Sequence, residues 1–161
     1  MKAISLTQPW AALVAGGQKA IETRSWSTRY TGPIAIHAAI AFPSWARDMC
    51  WNEPFRSALV EAGYTRPQPN GEERLCTATL PTGAIVAVAE LLYCSPIIGT
   101  STVAPLELAF GDFSFGRYAW HLASVRRLAK PIPCKGKLGL WVPPKRVVDL
   151  IRAQLGRPVA V

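Results

Sequence analysis

The 161-residue chain has only two histidines and four cysteines. Cys50, Cys76, Cys94 and Cys134 lie far apart and form no CxxC pair, which argues against a zinc ribbon or a disulfide framework and for reduced thiols. No cluster has metal-ligand spacing, so no metal is expected. Neither His37 nor His121 has a neighbouring nucleophile that would begin a Ser-His-Asp set. Walker A and GxGxxG sequences are missing, and no cofactor is expected. No apolar run approaches the roughly 18 residues of a membrane span, and the stretch Met1-Lys2-Ala3-Ile4-Ser5 is too polar for a signal peptide. The expectation is a soluble cytoplasmic protein without a membrane partner.

Acidic residues are scarce in one region. Residues 117–161 carry Arg117, Arg126, Arg127, Lys130, Lys135, Lys137, Lys145, Arg146, Arg152 and Arg157 against Asp149 alone, a surplus of nine positive charges. Residues 1–116 sum to −1, so the C-terminal part supplies the whole net charge of +8. Clustered cations attract polyanions and release their counterions, the electrostatic basis of nucleic-acid binding; solubility is the plain alternative.

Half the residues are hydrophobic, enough for one domain with a sizeable core. Lys2–Leu6 reads as a strand. Thr7 is a candidate N-cap and Pro9 a first-turn residue for a helix through Trp10, Leu13 and Val14, ended by Gly16-Gly17. Residues 20–26 read as extended and Ile34–Ala39 as a buried strand. Short helices are expected over Ser44–Trp51 and Pro54–Ala62. Tyr64–Pro81 and Ser95–Gly116 read as irregular. Gly83–Tyr93, Arg117–Leu128 and Leu138–Val142 read as strands. Pro143-Pro144 opens a terminal helix with Val147, Val148, Leu150, Ile151 and Leu155 on its apolar side. Strands with interspersed helices but no βαβ rhythm indicate α+β, with a small curled sheet or barrel.

The densest chemistry lies in Gly17-Gln18-Lys19-Ala20-Ile21-Glu22-Thr23-Arg24. In an extended segment Glu22 and Arg24 share a face, with Trp26 beside them, and Lys19 can swing towards it from the preceding turn. Two cations, a carboxylate and an aromatic would cradle a phosphate and a stacked base. A surface ion pair on an edge strand is the plain alternative, worth about 0–1 kcal/mol. Glu90 continues the Val86/Val88 face and either points into a cleft or reaches water. His37, at the end of Ile34-Ala35-Ile36, reads as hydrogen-bonded structure before it reads as a catalyst, and so does His121. Trp10, Trp26 and Trp120 are candidate stackers, with core packing as the alternative.

The GxKxxExR signature formed by Gly17, Lys19, Glu22 and Arg24 resembles that of the ASCH family, the activating signal cointegrator homology domains of the PUA-like superfamily. Its flanks are similar too: Gln8-Pro9-Trp10-Ala11 before it, Trp26, Thr28, Tyr30 and Gly32 after it, then Ile36-His37-Ala38, and further on Gly116 to Trp120 and Gly136 to Trp141. The resemblance covers about residues 2–142. It implies a PUA-like small β-barrel flanked by α-helices, with residues 1–142 as the ASCH domain and 143–161 as a C-terminal helix packed on it. It also implies binding of RNA or other nucleic acid. Some small members are enzymes, acting on N4-acetylcytidine or as ribonucleases. The amidohydrolase group uses a Lys, a Thr three residues on and a strand Glu; Lys19 and Glu90 match two of these, whereas Glu22 occupies the Thr position.

Three functions are therefore carried forward. The first is a binding module for RNA, single-stranded nucleic acid or a nucleotide, using Lys19, Glu22, Arg24, Trp26, His37, Arg117, Arg126, Arg127, Lys135 and Lys137. The second is a small hydrolase with Lys19, Glu22 and Glu90 as catalytic groups. A protein-binding adaptor is the third.

Overall fold

The computed structural model describes residues 1–156. It is an α+β fold built on a curled six-stranded sheet, a half-barrel with five helices around it. The strands are β1 (Lys2–Leu6), β2 (Ile21–Arg24), β3 (Gly32–Ala38), β6 (Ala84–Pro96), β7 (Tyr118–Pro133) and β8 (Leu140–Trp141), in the order β2-β7-β6-β3-β1-β8. β1 and β3 run parallel, and every other pair in this sheet is antiparallel. The long β6–β7 ribbon shifts register three times. At one shift, Ser124 and Val125 stand opposite Ala89 alone, and Ser124 takes a left-handed φ of 49°. Such bulges bend and twist a ribbon, which is how strands this long curl.

Alternation along the strands divides the core. Ile4, Leu6, Ile34 and Ile36 face α1 (Trp10–Ala15) together with Val86, Trp120 and Leu122. Ala3, Ala35, Ile85 and Val88 face the opposite way, towards α5 (Lys145–Leu155). Val147 and Ile151 of α5 are buried there against Leu128, Ile132 and Trp141, whereas Leu150, expected on the apolar side, is exposed. α1 is buried on both sides because Ala12 and Leu13 also pack on Phe55 and Leu59 of α3 (Phe55–Glu61). α2 (Ser44–Met49) is shorter than expected and leaves Trp51 beyond its end.

Three local expectations are revised. The N-cap of α1 is Pro9, not Thr7; the buried Gln8 side chain does the capping, accepting from Ala12 N at 3.0 Å and donating to Pro81 O at 2.7 Å. The supposed loop 64–81 holds the hairpin β4 (Thr65–Pro67) and β5 (Glu73–Leu75), followed by a 3-10 turn at Thr77–Thr79. The irregular stretch 95–116 contains the end of β6 and the helix α4 (Pro105–Phe110). Pro105, a breaker by composition, sits in the first turn where its missing N–H costs nothing. No helix of the described residues is long and apolar enough to cross a membrane, and these residues hold no His/Cys/Asp/Glu group suited to a metal.

Candidate functional site

The signature begins where α1 stops. Gly17 has φ +84°, a conformation that costs an L-residue energy, and it lets Gln18 N and Lys19 N both donate to Leu13 O, at 2.9 and 3.2 Å. Lys19 then turns inward rather than towards solvent. Its side chain is 1% exposed; Nζ donates to Ile21 O and lies 3.8 Å from Glu22 Oε2 and 3.9 Å from Glu107 Oε2. Glu107, on α4, also accepts from the backbone amides of Ala20 and Ile21, and so fastens the start of β2.

Glu22 and Arg24 share one face of β2, as alternation requires. Arg24 Nε lies 3.1 Å from Glu22 Oε1, and Nη2 donates to Ser5 O at 2.9 Å. Arg117 stands close by, 3.3 Å from Asp112 Oδ2 and donating to Thr23 O at 3.3 Å. Burial pushes the Glu22 carboxyl up from its ordinary range, opposed by the Arg24 and Lys19 charges. Burial likewise depresses Lys19, opposed by Glu22 and Glu107. The cluster expected to hold two cations and one carboxylate therefore holds two of each, and its net charge is close to zero.

Glu22 and Arg24 open onto a cavity of about 540 Å³ that Ser5, Trp26, Asp112 and Arg117 also line. The aromatic rings of Trp10, Trp45, Phe55 and Phe110, packed on one another, also line it. Trp10 is fixed in place: its Nε1 donates to Phe110 O at 2.6 Å, and its ring meets Phe55 edge-on at 5.9 Å. Trp45 lies 5.9 Å from Trp10 yet is 56% exposed, so its face is free. Trp120 is fully buried, packed edge-on against Trp26 at 4.7 Å, and is core. Lys19 lines none of this cavity; it lies beneath, clamped by two carboxylates.

The remaining candidates are dispersed. Glu90 is partly buried on β6, opposite Ala123 and Pro33, with Oε1 near Gly32; it does not line the cavity. His37 is 2% exposed, with Nε2 2.8 Å from Cys134 O, so the carbonyl fixes Nε2 as the donor. Burial lowers its pKa against that hydrogen bond. Arg127 is committed to the fold, donating to Ala62 O at 2.6 Å and lying over the Tyr64 ring at 4.4 Å. Arg126 donates to Leu155 O at the end of α5. Lys135 and Lys137 are exposed beside a second cavity that also includes His37. Arg157 lies outside the described residues.

The family model of the ASCH domain matches residues 4–132. The chain belongs to the ASCH family. Two solved structures resemble this ASCH domain: ASCH from Zymomonas mobilis, at TM-score 0.52 and 12% identity over 94% of this chain and 93% of that one, and a single-substitution mutant of the same protein, at TM-score 0.50 and 12% identity over 94% and 96%. At that identity the likeness is one of fold. No curated protein matches the chain. The matched range takes in the signature, α4 and every residue lining the first cavity, and it ends before Cys134.

Sequence reasoning missed Glu107, Trp45 as an exposed aromatic, and Arg117 as part of the cleft rather than of the outer basic surface. The only visible hint at Glu107 was an acid two residues after a proline, which suits a helix's first turn.

Proposed function

We propose that the cleft of this ASCH domain holds a base of single-stranded nucleic acid, RNA in the first instance, while exposed cations outside it contact the phosphates. One observation carries this reading: a charge-balanced Glu22–Arg24 pair and a cluster of aromatic rings line one cavity of about 540 Å³. A site built for phosphate would show surplus positive charge. A nearly neutral site with two carboxylates, Glu22 and Asp112, two planar guanidiniums, Arg24 and Arg117, and an exposed tryptophan suits the edge and face of a base. Cavities of roughly 300–1,000 Å³ are ordinary for such ligands. Phosphate attraction falls to Arg126, Lys130, Lys135, Lys137, Lys145, Arg146 and Arg152, all exposed.

Fluorescence anisotropy with labelled single-stranded RNA tests this. Affinity should fall with salt, and Arg24→Ala and Trp45→Ala should each weaken it; binding indifferent to both substitutions and to salt would refute the reading. The hydrolase alternative needs Lys19 Nζ or a water it activates to reach a substrate, yet Nζ lies under the cleft with both carboxylates against it. Product analysis after incubation with N4-acetylcytidine and with single-stranded RNA decides the matter, because turnover abolished by Lys19→Ala would replace the binding reading.

A further inference from the structure

A second cavity of about 640 Å³ adjoins the first. Ser5 belongs to both: its carbonyl accepts from Arg24 in the first, and its hydroxyl donates to Lys137 O at 3.0 Å in the second. The second cavity is mostly apolar, with Ile40 and Leu138 82% and 98% exposed, and no carboxylate of the described residues lines it. Lys135 and Lys137 stand at it without an ion pair among the described residues.

The segment that forms this cavity is held close to the sheet. His37 Nε2 donates to Cys134 O at 2.8 Å, which leaves Nδ1 as a buried acceptor with no partner among the described residues. A Cβ on Gly136 would come 2.4 Å from His37 Cε1 and 2.8 Å from Ser5 Oγ, so only glycine lets the chain lie flat there. Residues 134–138 also fall outside the range matched by the family model. Core packing does not explain an apolar hollow beside two lysines unpaired among the described residues.

We infer that this cavity is a second base subsite and that the ligand is therefore an oligonucleotide of at least two consecutive nucleotides, not a nucleoside. The inference rests on the base-binding reading of the first cleft. A flat apolar group carrying an anion fits an apolar floor beside Lys135 and Lys137, and the shared lining residue Ser5 makes the two cavities neighbours, as sites for consecutive nucleotides must be.

Competition of mono-, di- and trinucleotides of one base against a labelled RNA measures it. The dinucleotide should bind on the order of tenfold more tightly than the mononucleotide, the scale of one added base contact, and the third nucleotide should add less. Leu138→Asp and Ile40→Asp, both at exposed positions, should each bring that ratio close to one; Lys137→Ala should lower the salt slope by about 1. A mononucleotide that binds as tightly as the dinucleotide, or a ratio unmoved by Leu138→Asp, overturns the second subsite and leaves the first standing. Binding of neither overturns both. Retention on anionic vesicles that Leu138→Asp abolishes, with the nucleotide ratio at one, would assign the hollow to lipid and likewise overturn the proposal.

Discussion

Two cationic regions of this molecule use their charge in opposite ways. At the signature, Lys19 and Arg24 each lie within 4 Å of a carboxylate, and the side chains are largely withdrawn from water. On β7, the segment after it and α5, the cations are exposed, and Asp149 alone among the described acids pairs with any of them, meeting Lys145 and Arg152. The first arrangement fixes geometry and leaves little field; the second leaves a field and fixes little. Counting charges along the chain does not separate the two, because both regions are rich in lysine and arginine.

The largest expected difference is in stability. Lys19→Met leaves the largely buried Glu107 without a counter-charge and Glu22 with Arg24 alone, and breaking such a set typically costs about 3–5 kcal/mol. Lys130→Ala on the outer face should change stability by less than about 0.5 kcal/mol. Urea unfolding of the two variants side by side checks this, and equal effects would dissolve the distinction. Next comes Trp45→Ala, which should cost about 1–3 kcal/mol of RNA affinity while leaving the fold intact, since the ring is mostly exposed.

Smaller effects sharpen the same contrast. Glu22 has its pKa raised in the folded state, so the native protein holds that proton longer than the unfolded chain, whose value is near 4.5. Its contribution to stability therefore falls as pH rises from about 4.5 through the raised folded value. Lys19 acts with the other sign: its folded pKa is lowered, and its contribution rises with pH towards its ordinary value of 10.5. The stability of wild type relative to Glu22→Gln should thus decline between acid and neutral pH, as followed by denaturation midpoints; a rising difference would mean that Glu22 is held ionised. Least of all, Lys145→Ala removes an exposed pair at 2.7 Å and should cost under about 0.5 kcal/mol.

The strand face shared by Glu22 and Arg24 was legible because period-two alternation and the signature's spacing agree. The glycine turn before Lys19 was legible for the same reason: Gly17 is where the chain needs a left-handed residue. Lys19's direction was not, because it is set by Glu107, 88 residues further on, in a six-residue helix with no polar cap and little periodicity. Trp120 and Trp45 show the same limit. Both are tryptophans near the cleft, but one is buried in the sheet between β2 and β6 and the other lies on a short surface helix, and only the three-dimensional packing tells them apart. Arg127 looked like a phosphate ligand and is spent on Ala62 and Tyr64, contacts more than 60 residues away along the chain.

The most direct test of this division measures affinity for single-stranded RNA homopolymers of each base across a salt series, for wild type, Arg24→Ala and the Lys130→Ala/Arg146→Ala double variant. Arg24→Ala should flatten the preference among bases and keep the salt slope, whereas the double variant should keep the preference and lower the slope by about 2. A salt slope that falls in Arg24→Ala while its base preference survives would contradict the account.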